Sequence, residues 1–368
     1  MKIAFIRLGL PIELNLFSAS PFILGTEIRL GLFRDWVNKL GYDLTLYSHL
    51  KPKDLQFLLN PPPTEEWLKN VKYDIQNLPK NEDVLFIEMG IANFMFSYNV
   101  DGKQIRYMDR IIDCIANFEG KIIYYQHGIL PLPLSSIQRQ VQKWHKVDIF
   151  KNREWIILHH YLNEEKAKSE LPEYKNFPVK FQFIPLGYSN EDPWFEINPE
   201  PKWDLIFIGT QWDSASKSKG QTRTAEIKKF YDHPQLLSAV FGKWEAEEVK
   251  KFGNIIFFGP TQNHGQAYEI WNRAWGCVWT TSPKIRGWGL VPTRSIMVLR
   301  AGGLLLADGS IANINQVVEN QFLVNNIEQV IMKLEAQKKL SISDREKIRQ
   351  SQLHKFPTWD KIKWQKIL

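Results

Sequence analysis

Several short stretches of this chain combine glycine with cationic or titratable side chains in spacings that suit anion chemistry. The fullest is Ile206-Phe207-Ile208-Gly209-Thr210, followed by Gln211 to Lys219 and then Gly220-Gln221-Thr222-Arg223. Glycine after an apolar strand lets backbone N–H groups approach a phosphate, and the next helix start adds partial positive charge. Lys217, Lys219 and Arg223 supply full charges nearby. A tight turn followed by a solvated basic loop has the same residue pattern. The coincidence of glycine, helix start and cations favours phosphate binding. The GxxxxGK[ST] pattern of P-loops is absent.

A second stretch is Pro292-Thr293-Arg294-Ser295-Ile296-Met297-Val298-Leu299-Arg300-Ala301-Gly302-Gly303. It reads as a helix that follows a glycine-containing loop and ends at glycine. An arginine in its first turn works against the helix dipole, so Arg294 is a candidate ligand for a diphosphate. The alternative is a surface arginine beside a well-formed cap. Gly242 after Phe241, and Gly259-Pro260 after Phe258, add two more glycine turns after strands. Three such turns in one half of the chain suggest one shared nucleotide site, with the backbone at Gly259-Pro260-Thr261 meeting a base edge.

The first half offers groups for proton transfer. His127, in Tyr124-Tyr125-Gln126-His127-Gly128, follows an apolar strand and accepts a proton near neutral pH. Glu13, Glu27 and Glu88 lie at comparable junctions, and Glu88 precedes Met89-Gly90. Each carboxylate also has a structural reading; Glu27 simply favours the start of its helix.

These junctions need a scaffold, and the hydrophobic pattern supplies one. Short apolar runs alternate with amphipathic segments, the pattern of α/β folds. In the first half the runs predict strands near 2–7, 43–48, 83–88, 121–126, 154–159 and 180–184, with helices near 26–40, 104–118 and 135–145. Pro61-Pro62-Pro63 marks a loop. The proline-rich stretch from Gly187 to Trp203 reads as an interdomain linker. After it, strands are predicted at 204–208, 237–241, 254–258, 276–280 and 303–307, and helices at 222–232, 264–275 and 292–301. A last helix near 357–367 closes the chain. Two successive α/β halves, 1–190 and 200–350, imply a cleft, with chemistry beyond the carboxyl ends of the strands.

Composition sets the class. The 368 residues suffice for two cores, and 44% hydrophobic with 24% charged residues is ordinary for a soluble globular protein. The net charge of +7 suits a polyanionic partner, or equally a basic surface that keeps the chain soluble. The opening MKIAFIRLGL is interrupted by Arg7 and reads as a first strand rather than a signal peptide. No apolar run is long enough to span a bilayer. Cys114 and Cys277 form neither a metal-ligand spacing nor a disulfide framework, which suits a reducing, cytoplasmic setting. There is no GxSxG, no HExxH and no Asp-x-Asp.

On these residues the chain resembles GT-B glycosyltransferases, in particular the T-even-phage DNA glucosyltransferases that modify 5-hydroxymethylcytosine. The opening MKIAFIRLG, Thr26-Glu27 leading to Gly41, and Asp43-Leu44-Thr45-Leu46 look like the start of the β-glucosyltransferases. Asp204 to Gly209, Gly220-Gln221-x-Arg223, Phe241-Gly242, Phe258-Gly259 and Thr293-Arg294 follow in matching order. The resemblance implies two facing Rossmann-like domains, with the final helix, 353–368, returning to the first. It implies a UDP-sugar donor, UDP-glucose above all, gripped by Arg223 and Arg294 and lined by Gly209 and Thr210. Its acceptor would be double-stranded DNA with the target base flipped out. No motif calls for a divalent metal. The chain departs from the family at three positions. His127 stands where the inverting enzymes carry an aspartate base; Gly128 stands for the aspartate after the retaining enzymes' histidine; and Met297 replaces a glutamate that commonly holds the donor ribose. Two other readings stay open: a surface-polysaccharide or lipid-linked glycosyltransferase, and a non-catalytic module that binds nucleotide or DNA.

Overall fold

The computed structural model describes residues 1–7, 40–47, 71–72, 81–89, 97–100, 103–106, 117–126, 154–170, 179–188, 192–211, 223–261 and 264–368. The chain divides into two compact units. One comprises Met1–His160, Lys168–Ile184 and Asp360–Leu368; the other comprises Tyr161–Ala167 and Pro185–Trp359.

The first unit holds a parallel sheet. Its strands are β1 (Lys2–Arg7), β2 (Asp43–Tyr47), β3 (Val71–Lys72), β4 (Val84–Met89), β7 (Lys121–Gln126), β8 (Trp155–His159) and β9 (Val179–Phe183), in the order β3-β2-β1-β4-β7-β8-β9. A separate antiparallel pair joins β5 (Ser97–Val100) to β6 (Lys103–Arg106). The apolar runs carry no polar alternation because helix-covered parallel strands bury both faces; all five residues of β8 are buried. Phe5 stacks on Phe86 with centroids 5.0 Å apart, and Phe86 also meets Tyr125 and Trp364.

The second unit repeats the plan. Its strands are β10 (Trp203–Ile208), β11 (Ser238–Phe241), β12 (Ile255–Phe258), β13 (Ala274–Trp279), β14 (Leu304–Asp308) and β15 (Leu323–Val324), all parallel, in the order β12-β11-β10-β13-β14-β15. In each sheet the chain starts near the middle, winds to one edge, then returns to build the other side. This is the doubly wound order that opens a crevice where the winding reverses. The reversal lies between β1 and β4 in one unit, and between β10 and β13 in the other.

Three local expectations need correction. Residues 104–106 belong to β6, not to the helix expected over 104–118. The dipeptide Asp101-Gly102 between β5 and β6 is a two-residue hairpin signal that outranks helical periodicity. The helix expected to reach residue 275 ends at Asn272, because the β-prone run from Ala274 to Trp279 is strand. The closing segment holds no long helix. Helix Ile342–His354 ends before Pro357, and two 3₁₀ turns follow, Trp359–Lys361 and Trp364–Lys366. Lys363, with ψ of 64°, breaks the helical path between them. Burial of Trp364 against Phe86, rather than helical propensity, holds this segment.

The stretch expected as a linker is clasped by arginines of its own unit. Arg300 Nε donates to the Pro193 carbonyl at 3.1 Å, and Arg349 Nη1 donates to the Phe195 carbonyl at 2.7 Å. Both guanidiniums also lie over the Trp194 ring, 5.3 and 3.7 Å from its centroid.

Helix Ile342–His354 shows how local chemistry sets an element. Ser341 Oγ accepts the Asp344 N–H at 3.1 Å and donates to its carboxylate at 2.7 Å, a side-chain cap. Ser341→Ala is expected to cost about 1 kcal/mol, read as a small drop in Tm. Lys347, and then Ser341, hold the Asp344 carboxyl below its ordinary range. A carboxyl lowered on folding stabilises above its unfolded value, about 3.9 for Asp, and that contribution disappears as pH falls through the lower folded value. The Tm difference between Ser341→Ala and the parent should therefore shrink on acidification below pH about 4; a difference independent of pH there would contradict this role.

Candidate functional site

The geometry of interest lies where the second sheet reverses. β10 pairs with β11 from Leu205↔Ser238 through Ile208↔Phe241. Its ladder to β13 has only Trp203↔Ala274 and Leu205↔Gly276. At the next step, Phe207 opposite Val278, a side chain intervenes. Tyr231, at the end of helix Thr224–Tyr231, donates its hydroxyl to the Val278 carbonyl at 2.9 Å and accepts the Val278 N–H at 2.9 Å. Cys277 Sγ lies 3.5 Å from the same hydroxyl. Burial pushes both the Tyr231 phenol and the Cys277 thiol up, so both stay protonated.

Two arginines meet at this crevice. The Arg294 guanidinium lies 5.0 Å from the Phe207 ring centroid, and that of Arg223 lies 6.0 Å from the same centroid. Arg294 Nη1 donates to the Ile208 carbonyl at 3.3 Å. Arg223 precedes helix Thr224–Tyr231, and its backbone N–H bonds the Gln211 carbonyl at 2.8 Å. A guanidinium over an aromatic face is attracted by the ring's negative face. Two cations brought to one ring make a strongly positive point at the strand ends.

The glycines explain how the arginines fit. A Cβ on Gly209 would stand 2.9 Å from the Phe207 ring and 3.2 Å from Arg294 Nη1. A Cβ on Gly242 would stand 2.0 Å from the Gly209 carbonyl oxygen. The Gly209 N–H bonds the Phe241 carbonyl at 2.8 Å, and its own carbonyl accepts Trp244 Nε1–H at 2.9 Å. Gly209 and Gly242 are thus interlocked, with no room for a side chain on either. Gly259 differs: nothing lies within 4 Å of a Cβ built there. Gly259, Pro260 and Thr210 are exposed, and Phe258 stacks on Phe241 at 4.6 Å beside them.

Two features escaped the sequence reading. The first is an ionic network at the same strand ends, built on two buried carboxylates, Glu226 and Asp308. Arg286 Nη2 lies 3.6 Å from Glu226 Oε1, and its Nε lies 3.5 Å from Asp308 Oδ2. Lys229 Nζ lies 3.5 Å from Asp308 Oδ1, which also accepts the Ser310 hydroxyl at 2.6 Å. This ties the first turn after Arg223 to the end of β14. The signal was present as Asp308-Gly309 closing the apolar run 304–307. The second is the surroundings of Met297. Its side chain packs in an apolar cluster with Trp203, Ala267, Tyr268 and Trp271, so this position belongs to the core.

In the first unit, Glu88 occupies the carboxyl end of β4, in register with Arg7 and Tyr125; its side chain lies outside the described residues. Glu13, Glu27, His127, Gly128, Lys217, Lys219 and Gly220 also lie outside them. Just before His127, the Tyr125 hydroxyl lies 2.7 Å from His160 Nε2, and His160 Nδ1 lies 2.8 Å from the Ile184 carbonyl. A carbonyl only accepts, so Nδ1 carries a proton. One imidazole thus ties together the carboxyl ends of β7, β8 and β9. Among the described residues no group of three or more His, Cys, Asp or Glu side chains is placed to hold a metal, and no helix is long and apolar enough to cross a membrane.

No protein-family model and no curated protein sequence matches the chain. Solved structures do. The T4 phage β-glucosyltransferase superposes with a TM-score of 0.60 at 14% identity, covering 96% of each chain. The same phage enzyme in complex with its UDP-glucose substrate gives 0.64 at 16% identity, again over 96% of each chain. The apo structure of OtsA gives 0.53 at 9% identity, over 96% of this chain and 95% of that one. Two doubly wound units and this likeness along nearly the whole length establish that the chain has the GT-B glycosyltransferase fold.

Proposed function

We propose that the chain is a glycosyltransferase that moves a sugar, glucose foremost, from a UDP-sugar to the hydroxyl of a hydroxymethylated base in double-stranded DNA. The observation that carries this reading is the meeting of Arg223 and Arg294 on the Phe207 ring at the sheet's reversal point. That is where an open parallel sheet binds ligands, and paired arginines suit a diphosphate. The T4 phage structure holding UDP-glucose supports the donor. The net charge of +7 supports a polyanionic acceptor.

In this reaction the bond from sugar C1 to the UDP oxygen breaks, and UDP leaves with the electron pair. A bond from C1 to the acceptor oxygen forms, and the hydroxyl proton passes to a base. Arg223 and Arg294 stabilise charge developing on the departing diphosphate. Gly209 and Gly242 let the backbone approach it, with Thr210 alongside. Gly259 and Pro260, beside the exposed Phe258, receive the base of the nucleotide. His127, Glu27 and Glu88 are the candidates for the proton acceptor.

The test is mass spectrometry of hydroxymethylated and plain duplex DNA incubated with the protein and a panel of UDP-sugars. A gain of one hexose on hydroxymethylated DNA alone is expected; no gain with any donor would sink the DNA reading. Met297 and Gly128, where the family carries a glutamate and an aspartate, favour a second reading, a module that binds nucleotide or DNA without transfer. Hydrolysis of UDP-sugar without acceptor would exclude it. Flotation with anionic liposomes in place of salt-dependent duplex binding would redirect the acceptor to a lipid-linked sugar.

A further inference from the structure

We propose that Tyr231 is a positioning residue of the arginine site, a wedge whose hydroxyl takes the place of β10 beside Val278 and so keeps the crevice open for Arg294. The proposal rests in part on the reading of Arg223 and Arg294 as diphosphate ligands, and its test separates the two.

Trp203↔Ala274 and Leu205↔Gly276 place Phe207 opposite Val278 at the following step. A continued ladder would use the Val278 main-chain groups there. The Tyr231 hydroxyl takes both instead, donating to the carbonyl and accepting from the N–H. A hydroxyl is the smallest side-chain group able to do both at once. The ring below it meets Phe207 in a T-shaped contact at 6.0 Å, so the wedge also packs the ring on which both guanidiniums lie. Arg294 then reaches the Ile208 carbonyl at the parted end of β10. Tyr231 touches no substrate in this account; it acts through Phe207 and Arg294.

An ordinary core tyrosine would also be buried and hydrogen-bonded. The two roles differ in what Tyr231→Phe changes. Phenylalanine fills the same space but leaves two buried main-chain groups without partners, which lowers stability in either case. Only a wedge also alters the arginine site. Val330→Ala supplies the comparison, because Val330 is fully buried in the same unit and lies on helix Ile327–Lys338.

The experiment uses the full chain, both variants, and a temperature at which circular dichroism shows each folded. UDP is titrated calorimetrically, and hydrogen exchange is followed by mass spectrometry over β10 and β13. In Tyr231→Phe, UDP affinity is expected to fall about tenfold and exchange around Val278 to accelerate by a similar factor. Val330→Ala also lowers stability, but it should leave UDP affinity within about twofold of the parent. Equal UDP affinity in Tyr231→Phe and Val330→Ala would overturn the proposal. If the parent itself binds no UDP, the diphosphate reading fails, and exchange on β10 decides the wedge: a larger acceleration around Phe207 and Ile208 in Tyr231→Phe than in Val330→Ala upholds it, and an equal one ends it.

Discussion

Replacing Arg294 with alanine is expected to weaken UDP-glucose binding by about a hundredfold. A hydrogen bond between charged partners is worth about 1.5–3 kcal/mol, and about 2.7 kcal/mol corresponds to that factor. Arg294→Ala also removes the guanidinium from the Phe207 ring and the bond to the Ile208 carbonyl. Arg294→Lys keeps the charge but loses the planar stack and the paired N–H edge, so it should recover only part of the affinity. Arg223→Ala should act in the same direction. The double variant should fall short of the sum, because both arginines rest on one ring. Calorimetric titration checks the series; parent-like affinity in Arg294→Ala would remove this residue from the site.

The second large effect is on stability. Gly242→Ala is expected to cost about 3 kcal/mol, the upper end for overpacking a close contact, and to lower Tm by roughly 6–12 °C. The added carbon would stand 2.0 Å from the Gly209 carbonyl oxygen and 2.7 Å from its carbon. Those are backbone atoms, and they cannot swing aside as a flexible side chain would. Gly209 is itself fastened to Phe241 and Trp244. Gly259→Ala is the contrast: with nothing within 4 Å of the new carbon, it should change stability by about 0.5 kcal/mol or less. Thermal unfolding of the two variants decides the matter, and equal Tm values would refute the interlocked pair.

The strands were legible because burial on both faces writes them as unbroken apolar runs, as in Leu304–Asp308 and Trp155–His159. Reading failed where one local signal had to be weighed against another. Asp101-Gly102 is a hairpin signal just before a stretch that fits helical spacing, and Trp364 holds the closing segment through a partner 278 residues away, Phe86.

The site was half legible for a related reason. Glycine and arginine advertise themselves at Gly209, Gly242, Arg223 and Arg294, because few other jobs need those residues after a strand. Phe207 and Tyr231 look like any core aromatics, and their roles exist only through strands brought together by the winding of the sheet. Arg286 and Asp308 look like surface charges until the fold pairs the half-buried guanidinium with a buried carboxylate. Met297 was compared with a family position on the strength of spacing alone, whereas its surroundings are those of a core methionine.

A crystal structure of the protein grown with UDP-glucose tests the central claim most directly. Electron density should put the diphosphate within hydrogen-bonding reach of both Arg223 and Arg294, above the Phe207 ring and against the Gly209 backbone. Nucleotide bound at full occupancy elsewhere, with the two arginines untouched, would contradict the account.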